Sequence, residues 1–421
     1  MTTIRRRWLL VLAVVVVLLG VLVLTQREAG RLKLPIGKVT PQVSIGDYHG
    51  LILAGDGSIW TWGGYGRGFP VLGLGKIRGT TSLRRIGSAT NWVCASAGGD
   101  HSLALKSDGT IWAWGGGIHG NLGDGIQGIS SNRVLHMRDT PAPSVPGNDW
   151  AQIIAGNWCS FAIKKDGTLW AWGVNNFGRL GVGSAARVIP QATQVGAATN
   201  WVKVCAGGVS GGGIQSDGSL WIWGGSPKFG NASTTSAQDI LSPIRISTDT
   251  NWVDLSVGYN LWLGIKADGA LWAWGREAYI LTGAPQSASE TPMQIGTNSD
   301  WQSVSPSIEG YHHLLRKRDG TFWIMERDRA QNTANLKPVA FPQSVIAYDA
   351  GGGAFVALTR DGEIWTCGTV LGQQTAKDKI WDFLARQLYR TFGKKIPWQQ
   401  PTTITRDRPW QLRNVEPTSE K

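Results

Sequence analysis

The sequence predicts an all-β fold, a seven-bladed β-propeller over residues 41–415, preceded by one N-terminal transmembrane helix and carrying an amphipathic helix inserted near the C-terminus. Three observations predict it. Asp-Gly recurs at Asp56, Asp108, Asp166, Asp217, Asp268, Asp319 and Asp361, at intervals of 52, 58, 51, 51, 51 and 42 residues. Four residues after each Asp stands a Trp: Trp60, Trp112, Trp170, Trp221, Trp272, Trp323 and Trp365. Short apolar alternations flank every Asp-Gly, and a Pro-marked segment closes most units. Four short antiparallel strands in a repeat of about fifty residues are the pattern of a propeller blade.

The N-terminal elements come first. Arg5, Arg6 and Arg7 precede Trp8–Leu24, seventeen residues without a charge, which as a helix would span about 25 Å. The exit, Val21–Gly30, offers no small-x-small cleavage site, and no Cys follows for lipid attachment. Residues 1–7 therefore read as a basic cytoplasmic lead, 8–25 as an uncleaved signal anchor and 26–40 as a linker. The Arg cluster before the span predicts that residues 26–421 lie outside the cytoplasm, periplasmic or extracellular, on a single-pass membrane protein.

Within a unit, Trp92–Gly98, His101–Lys106 and Thr110–Gly115 are separated by turn residues, with Asp108-Gly109 between the last two. Asp-Gly between alternating runs predicts a type I′ hairpin, because both turn positions require positive φ. Trp112 and Trp114 are two apart and share a strand face. A further Trp column leads each unit: Trp92, Trp150, Trp201, Trp252 and Trp301. Pro190, Pro243, Pro292 and Pro338 mark outer edge strands, where a missing ladder donor is tolerated. With Trp410, eighteen of the 23 Trp fall in the repeat columns, so the rings are read as packing between blades and not as ligand platforms.

Composition excludes several functions. The formal charge is +12, but residues 1–40 carry +6, residues 376–421 carry +5 and the body between them only +1. The body thus lacks the concentrated cationic footprint of a nucleic-acid binder. Four Cys in 421 residues, without C-x-x-C, are not a disulfide scaffold. No His-Glu-x-x-His or Walker loop is present. His49, His101 and Cys159 recur at one register and form a set able to bind zinc; the reading taken is a structural hydrogen bond at a strand entry. No cofactor and no metal are expected.

Past Gly372 the pattern breaks. Thr375–Asp378 is a capping box, and Ile380, Trp381, Leu384, Leu388 and Phe392 form one helical stripe, ended by Gly393 and Pro397. This insertion, 375–393, either caps the propeller or lies on lipid. Pro401–Thr405 reads as an outer strand. Pro409–Val415, led by Trp410, reads as a copy of the first strand that closes the ring with the first blade. Residues 416–421 are a tail.

Repeat two reads Gly98-Gly-Asp-His101-Ser102, then Asp108-Gly109, Trp114-Gly115 and Gly120-Asn-Leu122-Gly123; repeat three reads Asp166-Gly167, Trp172-Gly173 and Asn175-Asn-Phe-Gly178-Arg-Leu180-Gly181. These units resemble the regulator of chromosome condensation repeat family over residues 41–370, most closely in repeats two to five. The Trp richness is similar to the bacterial branch, which includes a β-lactamase inhibitory protein. The resemblance implies a seven-bladed, non-catalytic platform that binds a protein partner through loops on one face, as a monomer. The loop residues expected to read that partner are Tyr65, Arg67, Phe69, His119, Asn175, Phe177, Arg179, Lys228, Phe229 and Tyr279. Two other functions stay open: a polysaccharide-directed enzyme in the central channel, with Asp47, Asp100 and Glu309 as the only acids near strand entries, and guanine-nucleotide exchange on a small GTPase, by family analogy alone.

Overall fold

In the computed structural model the described residues are 33–64, 68–128, 136–225, 239–258, 261–275, 277–282, 289–305, 312–328, 333–351, 354–368 and 410–411. They form seven four-stranded antiparallel sheets, each in sequential strand order. Blade one is β1 (Gln42–Ile45), β2 (His49–Leu53), β3 (Ile59–Gly63) and β4 (Thr80–Arg85); blade two is β5 (Trp92–Ala97), β6 (His101–Lys106), β7 (Ile111–Gly116) and β8 (Met137–Pro143). Blade three is β9 (Trp150–Ala155), β10 (Cys159–Lys164), β11 (Leu169–Val174) and β12 (Val188–Gln194); blade four is β13 (Trp201–Ala206), β14 (Ser210–Gln215), β15 (Leu220–Gly224) and β16 (Ile240–Arg245). Blade five is β17 (Trp252–Val257), β18 (Trp262–Lys266), β19 (Leu271–Gly275) and β20 (Ser289–Gln294); blade six is β21 (Trp301–Ser305), β22 (His312–Lys317), β23 (Phe322–Asp328) and β24 (Thr333–Val339). Blade seven is β25 (Val345–Gly351), β26 (Ala354–Thr359), β27 (Ile364–Gly368) and β28 (Trp410–Gln411). First strands touch in succession around the ring, and β25 meets β1, so the ring is closed.

The Trp columns lie where blade packing needs them. Trp114, Trp172, Trp223 and Trp274 are fully buried. Trp172 packs among Leu103 and Leu122 of blade two and Trp150 of its own blade, and its Nε1 donates to the Asn121 carbonyl at 3.0 Å. Trp114 and Trp223 donate in the same way to Val71 and Arg179 carbonyls. The leading Trp meets the first Trp after the turn edge-on, as in Trp92–Trp112 at 5.7 Å and 90°. The Lys ending the second strand lies over both rings, with Lys106 Nζ 3.6 Å from the Trp112 centroid. A cation over an indole face adds to the area these rings bury.

The Asp-Gly turn is a two-sided joint. It is not the expected type I′ hairpin, since no turn Asp has positive φ and only the Gly takes the left-handed angle. Gly167 has φ +79°, and a Cβ there would lie 2.1 Å from the Thr199 carbonyl oxygen, on the link into blade four. Glycine is required both for the backbone angle and for that approach. The Gly167 carbonyl then accepts the Trp201 amide at 3.1 Å, tying blade three to blade four.

Inside the turn a chain of hydrogen bonds fixes the Trp. Asp56 Oδ1 accepts the Ser58 amide and hydroxyl, and Ser58 Oγ accepts Trp60 Nε1 at 2.9 Å. Thr110, Thr168, Ser219 and Thr321 hold Trp112, Trp170, Trp221 and Trp323 likewise. Blade five has Ala270 in that place, and the buried Trp272 Nε1 has no partner. An unmet buried donor costs about 1–3 kcal/mol. Ala270→Thr is therefore expected to raise unfolding stability by about 1 kcal/mol, read as a higher denaturant midpoint; an unchanged or lower midpoint would count against the hydroxyl's role.

Ring closure departs from expectation. The Trp410-led segment is not a first strand: β28 pairs with β27 as the outer strand of blade seven, with Gln411 opposite Trp365. Gln194, Gln294, Arg85 and Arg245 hold the same place opposite their own Trp. Gln411 therefore belongs to the outer-strand column, and the Trp beside it mimics a leading position. The N-terminal side closes the ring. The Leu34 amide donates to the Gly362 carbonyl at 3.0 Å, the bond that a leading Trp makes elsewhere. Leu34 also packs with Ile364 and Ile52. The half-buried Asp349 on β25 accepts the Ile45 amide at 2.8 Å and the Ser305 hydroxyl, joining blades six, seven and one.

The predicted transmembrane helix at 8–25 and the inserted helix at 375–393 lie outside the described residues. Among the described residues no helix is long and apolar enough to cross a membrane.

A candidate binding face at one end of the ring

Strand alternation sorts the connections into two ends. The Asp-Gly hairpins and the links between blades share one end; the turns between first and second strands and the loops between third and outer strands share the other. All the expected partner-reading residues belong to loops of the second end. Tyr65, Arg67, Lys228 and Phe229 lie outside the described residues. Phe69 is half-buried, with its ring against Gly116, where a Cβ would come within 2.9 Å of it. Tyr279 is half-buried in the short helix α1 (Tyr279–Thr282).

Two of the expected exposed positions are buried and brace the loops. Asn175, 1% exposed, donates to the Ser184 and Ala186 carbonyls at 2.8 and 2.9 Å, and its Oδ1 accepts the Leu180 amide. Arg179, 4% exposed, donates to the Asn157 carbonyl at 2.9 Å from the neighbouring loop. A loop that folds over itself requires such inward polar groups for its own carbonyls, and variation between units conceals that requirement in the sequence.

The remaining residues converge on blades two and three. His119 lies 5.7 Å from Trp158, centroid to centroid, with the rings tilted by 54°. Trp158 Nε1 donates to Asp100 Oδ2 at 2.6 Å. Trp158 sits between β9 and β10 with φ +63°, and Phe177, in the next loop, also has φ +63°. Among the described residues these are the two non-glycine residues with positive φ, and both are partly exposed aromatics. Bulky side chains adopt this conformation only where the surroundings hold it, at a cost of about 1–3 kcal/mol each. Trp158 is not among the binding residues expected from the sequence. Its signal there is that it lies outside all three Trp columns, just before Cys159.

Of the register of His49, His101 and Cys159, the two His form a structural relay, and Cys159 is a buried thiol. His49 Nε2 meets Ser102 Oγ at 2.6 Å, and His101 Nε2 meets Ser160 Oγ at 2.8 Å. Each Ser then donates to a loop carbonyl, Val71 or Asn121. Burial drives both imidazoles down to about 3, so they are neutral. Burial also raises the thiols, to about 11 for Cys94 and about 12 for Cys205. Among the described residues no three His, Cys, Asp or Glu gather as a metal site. Of the acids considered for catalysis, Asp100 is buried and engaged by Trp158, Asp47 is half-buried on the neighbouring blade, and Glu309 lies outside the described residues.

The geometry agrees with comparison to known proteins. The family model "Regulator of chromosome condensation (RCC1) repeat" matches residues 166–209, and a second of the same description matches residues 92–121. The chain carries regulator of chromosome condensation repeats. Its RCC1-type units are 28% identical over 240 residues to the ultraviolet-B receptor UVR8 of Arabidopsis thaliana, covering 56% of this chain and 52% of that protein. They are 29% identical over 192 residues to the mitochondrial RCC1 domain-containing protein RUG3 of the same plant, covering 43% and 41%. The chain thus spans about half the length of these curated relatives. Among solved structures, Prp20p of Saccharomyces cerevisiae superposes with a TM-score of 0.63 at 17% identity, over 91% of this chain and 88% of that one. Human WBSCR16 superposes with a TM-score of 0.58 at 15% identity, over 80% and 85%. These likenesses establish the fold, and an RCC1-type propeller fits a protein-binding platform.

Proposed function

We propose that this protein is a membrane-anchored, non-catalytic platform that binds a protein partner through the loop end of blades two and three, outside the cytoplasm. The observation that carries this reading is the pair of strained, partly exposed aromatics, Trp158 and Phe177, on adjacent loops. Aromatic anchors held rigid before encounter lose little entropy on binding and dominate interface energies. Asp100 and His119 fix one of them in place. Prp20p has binding properties toward Gsp1p and histones, which keeps a protein partner of the small-GTPase kind as a second reading. The apolar run Trp8–Leu24 supports the anchor.

The test is affinity capture with the full chain against Trp158→Ala and Phe177→Ala. A binding partner retained by the wild type is expected to weaken about tenfold or more with either variant, the loss typical of an interface anchor. Ile244→Ala, on the exposed outer strand of blade four, should leave capture unchanged. Equal capture by all four proteins would refute the assignment of this face.

A further inference from the structure

The end opposite the candidate binding face carries its own surface. In blades two to seven the pairing of first and second strands slips by one residue just after the leading position, as between Trp92 and Cys94, Trp201 and Lys203, and Val345 and Ala347. The extra residue is left out of the ladder and turned outward. Those residues include Ala151, Val202, Val253 and Ile346. Val253 is 50% exposed, Val202 47% and Ile346 37%. Because they sit at the start of the innermost strands, they form an apolar rim around the ring axis at the Asp-Gly end.

The N-terminal segment extends this rim. Leu34–Pro41 crosses the seam between blades seven and one at the same end, with Pro35 and Val39 bonded to Gly55 beside the first Asp-Gly turn. Ile36, at 73% exposure, is the most exposed large apolar residue described. A cleft of about 340 Å³ here is lined by Ile36, Pro41, Ile346 and Arg360, among others. Lys33 and Lys38 flank it, both exposed. Outside the rim the turn carboxylates share their blades with Lys164, Lys266 and Lys317, which pair with Asp149, Asp249 and Asp300.

We infer that this end docks on a lipid bilayer, so that the propeller rests on the membrane with its binding face pointing away. The inference rests on the anchor reading above and deepens it. Nine residues, 25–33, separate the apolar run from Leu34, a reach of about 30 Å at full extension. Leu34 is fixed at the Asp-Gly end, so it is this end, and not the loop end, that the tether holds near the lipid. Rings of exposed aliphatic side chains beside basic residues suit the boundary between headgroups and acyl chains.

The experiment uses the full chain in vesicles of phosphatidylethanolamine and phosphatidylglycerol. Flotation reports the anchor. An environment-sensitive fluorescent amino acid is placed at position 253, 346 or 177, and iodide quenching reports its access to water. Docking predicts quenching about threefold weaker at 253 and 346 than at 177, with a blue-shifted emission. Ile36→Asp combined with Ile346→Asp should leave flotation intact and raise quenching at 253 to the level at 177. A chain that floats with all three positions equally quenched sinks the docking but spares the anchor. A chain that does not float overturns both. Protection that rises with protein-to-lipid ratio and accompanies a dimer in sedimentation assigns the rim to a second copy and overturns lipid docking.

Discussion

Truncating Trp172 to alanine is expected to lower unfolding stability by about 3–5 kcal/mol, the range for large aromatics removed from a core that cannot collapse. Trp172 is fully buried between blades two and three and touches residues of both. The seven sheets stack on one another through such layers, so neither neighbour can close the hole without parting from its own next neighbour. A second substitution separates packing from hydrogen bonding. Trp172→Phe loses the bond to the Asn121 carbonyl, whereas Trp274→Phe loses none, because the buried Trp274 Nε1 has no partner. Trp172→Phe should therefore cost about 1 kcal/mol more than Trp274→Phe in equilibrium denaturation. Equal costs would show that the indole donor contributes nothing.

Asp349→Asn is expected to stabilise the protein at neutral and alkaline pH. Asp349 is half-buried at the joint of blades six, seven and one, and desolvation pushes its carboxyl up to about 6 from an ordinary 3.8. With a folded pKa above the unfolded one, the acid's contribution is fully present below about pH 4 and is lost as pH rises through about 6. At pH 8 the wild type holds a partly desolvated carboxylate that the amide replaces without charge, still accepting the Ile45 amide. A shift of this size corresponds to about 1–3 kcal/mol. The difference in melting temperature between variant and wild type should grow from near zero at pH 4 to several degrees at pH 8. A difference independent of pH would mean that the Asp349 carboxyl titrates in the fold as it does in the unfolded chain.

The strand pattern is legible in the sequence because it is local. Asp-Gly favours a hairpin through backbone angles that depend on a few adjacent residues, and Trp two apart on a strand share a face whatever lies around them. The four Pro-marked segments all fall in outer strands, β12, β16, β20 and β24, because a missing amide is tolerable only at an edge. The hydroxyl two residues after five of the seven turn Asp is equally local. Ser58, Thr110, Thr168, Ser219 and Thr321 stand in the sequence at one register, and an acceptor for each Trp follows from it.

The binding face is legible only in outline. Loop residues that look free in a sequence, such as Asn175 and Arg179, are consumed by loop carbonyls, and the chain alone does not say which carbonyls are near. Trp158 gains its role from Asp100, 58 residues earlier, and from His119 on a third segment. Such a constellation exists only once blades are stacked.

The same division holds for the whole molecule. The sequence alone determined seven hairpins, the place of the four Pro-marked outer strands and the indole layers between blades, since each follows from turn chemistry and two-residue periodicity. Only the tertiary structure decided how the circle is joined, by Leu34 and Asp349 rather than by the Trp410 segment, and which end gathers aromatics and which aliphatics. Closure brings together residues some three hundred positions apart, and no short-range rule fixes which of several similar segments wins that contact.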